Sequence, residues 1–278
     1  MTKVTQVLPA VRPGNYRVRH VARAEIAKIL TLRSSAITLG LTSVACLLVT
    51  GLVANAALHH GPGYYVGFDP TQLSLTGMIP VALTGGVFGA LLVTGEYSSG
   101  TIRSTLAATP RRPLLVATKT GVTAALAVVL CQLLGFLSFF LGEAILSGGG
   151  APSASLGSPG ALRAVIMTGL FIALMALMSF GFGLVFRSTA AAIAAFAGVV
   201  FVLPLVMRGI SEHAVRYLPT NILTNSVMST AHEAPGAIAT GSGPLGPSLS
   251  PAVGLSLMAL YAAIALAAGA VLFVRRDA

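Results

Sequence analysis

Six apolar stretches constrain this chain more than any other feature: about 36–58, 74–95, 120–146, 164–186, 189–207 and 252–274. A hydrocarbon core of roughly 30 Å is crossed by about 20 apolar residues in a helix. Inside it every backbone N–H and C=O must be satisfied within the protein. The expected fold is an all-α polytopic membrane protein with six transmembrane helices. Composition agrees, since 55% of the 278 residues are hydrophobic and 9% are charged, against about a quarter charged in soluble domains. The net charge of +10 does not point to nucleic acid, because that reading needs a clustered basic face on a soluble fold. Here the charges lie between apolar runs. Cys46 and Cys131 fall inside such runs and read as buried thiols. Ala54-Asn55-Ala56 resembles a cleavage site, yet about 35 residues precede the first stretch and its apolar core is too long for a signal peptide. It reads as a retained span.

Lysine and arginine set the expected orientation. With six spans both termini share a side. That side holds the basic N-terminal segment, Arg103, Arg111, Arg112 and Lys119 between spans two and three, Arg187 between four and five, and Arg275 and Arg276 at the end. Of the 17 basic residues only Arg163, Arg208 and Arg216 fall on the other side. Both termini are therefore expected in the cytoplasm. Residues 1–35 form a cytoplasmic N-terminal segment and 36–278 the six-span domain, with an inner loop at 96–113 and an outer segment at 208–250. In Asn15–Ser35, apolar residues at helical spacing alternate with arginines and Lys28, which suits a basic amphipathic helix in the inner interface. The outer stretches 59–70 and 147–160 are rich in Gly, Pro or Ser and read as irregular turns. Residues 211–230 carry a helical apolar pattern interrupted by Pro219.

The inner loop begins Gly-Glu-Tyr-Ser-Ser-Gly-Thr at Gly95, with the glycine spacing of a phosphate loop. A Walker A motif needs Lys directly after its last Gly, and position 101 is Thr. No nucleotide is expected to bind by that route. Nor is an intramembrane hydrolase supported: the five histidines lie outside the apolar cores, and a Ser nucleophile needs a His or Lys base within reach. His59-His60 is weak as a metal pair, so no metal site is expected. Glu96, with Ser98, Ser99 and Thr101, is expected at the N-terminus of a short cytoplasmic helix, as hydroxyl and carboxylate caps. Ile102 and Leu106 would be that helix's exposed apolar residues, available for docking or loop packing, and Pro110 and Pro113 would end it. Glu143, well inside span three, is read as a proton carrier, a substrate partner, or a structural group reaching the interface. Gly85 and Gly89 form a small-residue pair suited either to a dimer interface or to internal packing. Pro80 and Pro204 are expected to kink spans two and five.

The pattern of Glu96, Gly100, Thr101, Pro110 and Lys119 in the loop, the "AEIAKILTLRS" helix before span one and the closing "RRDA" resemble the permease subunit of a bacterial ABC exporter of the ABC-2 type. The resemblance covers nearly the whole chain. It implies a non-catalytic subunit of the bacterial plasma membrane that forms a translocation path with a second permease copy, identical or related. It binds no cofactor itself, because ATP and Mg belong to a separate ATP-binding cassette subunit. The loop at 96–113 becomes a coupling helix seated on that ATPase, through Glu96, Gly100, Thr101 and Arg103 with Tyr97, Ser99 and Leu106, and Arg187 supplies a secondary contact. Glu25, Lys28 and Arg33 fall on the N-terminal connector helix. Pro80, Thr84, Gly85, Gly89, Glu143 and Pro204 stand as candidates for the path or the dimer interface. Two other readings stay open: a proton-coupled secondary transporter using Glu143, and a non-transporting membrane scaffold. No motif names the substrate.

Overall fold

The computed structural model describes residues 22–27, 33–60, 62–65, 68–102, 112–227 and 249–276. Among them, six helices are long and apolar enough to cross a membrane. The chain runs through α1 (Arg33–Leu58), a 3-10 turn (Pro62–Tyr65), the short α2 (Pro70–Ser74), α3 (Met78–Ser98), α4 (Arg112–Gly148) and α5 (Ala161–Phe186). It continues through α6 (Thr189–Ala197), a π turn (Gly198–Val202), α7 (Leu203–Arg208), α8 (Glu212–Val215), α9 (Pro219–Val227) and α10 (Pro251–Arg276). A further helical stretch covers 22–27.

The six expected spans are found, with shifted ends. Span two starts at Met78 rather than 74, because Asp69 caps a separate short helix: its carboxylate accepts from Gln72 N at 3.2 Å, and Pro70 opens the first turn. Span three starts earlier than 120, because Pro113 occupies the first turn of α4, where a missing N–H costs nothing. At 37 residues, α4 is about 55 Å long, well over the roughly 30 Å of a hydrocarbon core. Pro80 likewise sits in the first turn of α3, so it starts that helix instead of kinking it. Pro204 has no N–H for the i−4 carbonyl, and a widened π turn stands just before it.

The hub is α5, which packs against α3, α4, α6 and α10. Its Phe171, Ile172, Met175 and Phe180 are fully buried. Close approach explains the tight α3 contacts. A Cβ on Gly89 would overlap the Ala176 carbonyl of α5, and one on Gly86 would overlap the Phe196 ring of α6. The small-residue pair of span two is thus turned inward, against the chain's own helices. By contrast α1 presents Ile37, Leu41, Val44, Leu48 and Leu52 outward in one stripe. Cys46 and Cys131 are buried free thiols.

Candidate functional site

Four parts of the chain meet at one end of the bundle: residues 22–27, the α3 end with the start of α4, the α5–α6 turn, and the end of α10. Charge joins the first two of these parts. Lys119, two turns into α4, lies 2.7 Å from Glu25 Oε2 and 2.7 Å from Glu96 Oε1, donating to both. All three side chains are buried. Unpaired, each ion would cost several kcal/mol here; together they satisfy one another. Glu96 also stands in the last turn of α3, where the helix dipole disfavours a carboxylate. The ammonium offsets that.

This corrects the expected role of Glu96. It lies in the last turn of α3, which continues to Ser98, and its Oε1 accepts from Lys119. The Ser98 and Ser99 hydroxyls donate back to the Gly95 carbonyl at 3.1 and 2.8 Å. Gly100 ends the helix with φ of +71°, a left-handed conformation that favours glycine. The Ser99 and Thr101 hydroxyls then share a 2.9 Å hydrogen bond on the exposed turn. Ile102 is not left bare, since it packs with Tyr97 onto Val93, Leu115, Phe180, Leu184 and Phe273.

Arg187 joins the same corner. It closes α5 in the left-handed region, with φ of 54°, and its guanidinium carbon lies 5.4 Å from the centre of the Tyr97 ring, within cation–π range. Arg187 Nη2 also reaches the Leu272 carbonyl of α10 at 3.5 Å. Two residues on, Thr189 donates to Thr94 Oγ1 at 2.9 Å. The α5–α6 turn is thereby fastened to the inner part of α3.

The expected site residues therefore divide. Glu25, Glu96, Tyr97, Ser99, Gly100, Thr101 and Arg187 come together at this end. Lys28, Arg103 and Leu106 lie outside the described residues, and Arg33 is the first residue of α1. Thr84 donates to the Pro80 carbonyl at 2.8 Å, and half-buried Gly85 meets Ile172 at ordinary contact distance. Pro204 is buried within span five. Glu143 belongs to the opposite end, where it accepts from Ser74 Oγ at 3.1 Å and from Ala154 N at 2.6 Å. Ser138 continues that network, bonding Thr50 at 2.6 Å and donating to the Ser74 carbonyl at 2.7 Å.

Sequence reasoning placed Lys119 in a motif but assigned it no role. A signal was available. The chain has three lysines, and this one lies where an apolar helix begins; a cation there calls for a carboxylate partner.

Residues 20–278 match the model of the family described as "ABC-2 family transporter protein". No curated protein matches the chain.

Proposed function

The chain belongs to the ABC-2 transporter family, and from that premise we propose that it is the permease half of an ATP-driven exporter whose energy enters at the Lys119 end. It is a multi-pass membrane subunit of an ABC transporter and not itself the ATPase. In the proposed arrangement that end faces the cytoplasm of a bacterial cell, and a separate ATP-binding cassette subunit docks on the turn after α3. A second permease copy completes the path. The observation that carries the reading is the interlocked end itself: buried charge ties α3 and α4 to the N-terminal helix, while Ser98, Ser99 and Thr101 stay exposed on the connecting turn. A rigid corner with an exposed tip transmits a push from outside the membrane to two spans at once. A ligand shifts such a machine only through different affinities for its states, so ATP acts by favouring the ATPase geometry that moves this tip.

The geometry favours this over a proton-coupled carrier. Both oxygens of Glu143 are engaged in holding the far loop to α2 and α4, which is structural work. The test is reconstitution with an ATP-binding cassette subunit from the same source, scoring ATP-dependent efflux of candidate amphiphiles. Glu96→Gln and Gly100→Ala are expected to lower transport per ATP while the chain still inserts. Wild-type transport in both, at matched expression, would overturn the assignment of this end.

A further inference from the structure

The helix at 22–27 is held to the bundle in an unusual way. Of the described residues 22–27, Glu25 alone is buried; Ile26 is 47% exposed. Apolar packing between this helix and α4 is loose. A groove of about 590 Å³ separates them, lined by Ala22 and Ile26 on one side and by Leu114, Thr118, Gly121 and Val122 on the other. Among the described residues, the Glu25–Lys119 pair at 2.7 Å crosses from helix to bundle. The same ammonium holds Glu96 at 2.7 Å. One cation therefore ties together three elements that are 94 and 23 residues apart in the chain.

We propose that Lys119 is a positioning residue, an ionic lock that makes the N-terminal helix, the end of α3 and the start of α4 move as one body. Three properties suit lysine to this role. Its ammonium carries three donors on a flexible stem, enough to serve two carboxylates from different directions. The site is buried, so the pairs are little screened by salt. The α3 carboxylate sits against its own helix dipole, and this cation offsets that. Removing it leaves two buried carboxylates without it, and a buried pair that loses one member is strongly destabilised. The described stretch 22–27 then loses the ion pair at its buried residue, Glu25.

The lock has two consequences, and the second rests on the coupling function proposed above. The first is mechanical and needs no partner. A spin label at Arg23→Cys, an exposed position, reports the helix's freedom in proteoliposomes of the full chain, and the native Cys46 and Cys131 are too buried to compete for label. In the parent the label is expected to be immobilised. In Lys119→Met the detached population rises on the order of a hundredfold, and the spectrum becomes mobile. Lys119→Arg keeps the charge and is expected to retain most of the immobilisation. The exchange Glu96→Lys with Lys119→Glu restores two acids and one base at the same spot and is expected to re-immobilise the label. The second consequence is read on unlabelled protein with its ATPase partner: transport per ATP falls on the order of tenfold in Lys119→Met and recovers in the exchange.

An immobile label in Lys119→Met, at parental expression, overturns the lock. So does an exchange variant as mobile as Lys119→Met. A mobile label with unchanged transport per ATP supports the lock and overturns the coupling function instead. Should Lys119→Met fail to insert, Glu25→Met removes only the N-terminal arm and leaves the Glu96 pair in place. It is expected to free the label, and a label still immobile there overturns the proposal.

Discussion

Two glycines four residues apart on α3 are expected to respond to the same substitution with opposite signs. An alanine at Gly85 would place its methyl 3.7 Å from Ile172 Cγ2, an ordinary contact, and it removes the entropic penalty of a mid-helix glycine, a gain of about 0.5–1 kcal/mol. An alanine at Gly89 would drive the same methyl into the Ala176 carbonyl oxygen. That atom is backbone within the fully packed α5, so it cannot swing aside as a side chain can. Overpacking of this kind costs about 1–3 kcal/mol, and the backbone obstacle argues for the upper half of that range. The two variants should thus differ by about 2–4 kcal/mol, or roughly 5–10 °C in unfolding midpoint for a chain of this size. The assay is thermal unfolding of the purified protein in one fixed detergent, followed by fluorescence-detected size exclusion. Gly89→Ala melting at or above Gly85→Ala would refute the α3–α5 packing. Gly89→Ala that instead splits a dimer, with each protomer as stable as before, would show that the glycine pair faces a second copy and not α5.

Further expectations follow from single contacts. Gly100→Ala should destabilise by about 1 kcal/mol through its positive φ alone, since a Cβ there meets nothing within 4 Å; Gly95→Ala, equally uncrowded but inside α3, should be neutral or stabilising in the same melt. Arg187 is a non-glycine residue at φ of 54°, so Arg187→Gly should be more stable than Arg187→Ala by about 1 kcal/mol, both having lost the Tyr97 contact; equal midpoints would contradict that strain. Glu143→Gln can still accept from Ala154 N and should keep ATP-driven transport with a small loss of stability, whereas Glu143→Leu leaves two donors unmet and should lose about 2–3 kcal/mol. Abolished transport in a fully stable Glu143→Gln would revive the carrier role. Thr189→Val should cost about 1 kcal/mol by deleting the bond to Thr94, measured in the same unfolding assay.

Much of this protein is decided locally. Runs of apolar residues require helices wherever they meet hydrocarbon, whatever they pack against. That is why the six spans and the buried thiols could be read along the chain. Glu96 and Gly100 were legible through a short motif, and Glu25, Tyr97 and Arg187 only through the family resemblance. The partners were not. The spans are apolar almost all round, so no polar face tells which side of α3 meets α5, and a Gly-x-x-x-Gly serves a neighbour helix or a second copy equally well. Only the packed bundle showed that Gly89 abuts Ala176. Helix ends were also misjudged where polarity was taken as a stop: α3 carries Glu96 onward as its own last turn, because a carboxylate that finds a buried ammonium need not leave the helix. The sequence put Lys119 in a motif without a partner, although a cation at the start of an apolar helix calls for an acid. That the acids are Glu25 and Glu96 depended on bringing distant segments together, and no local rule contains that.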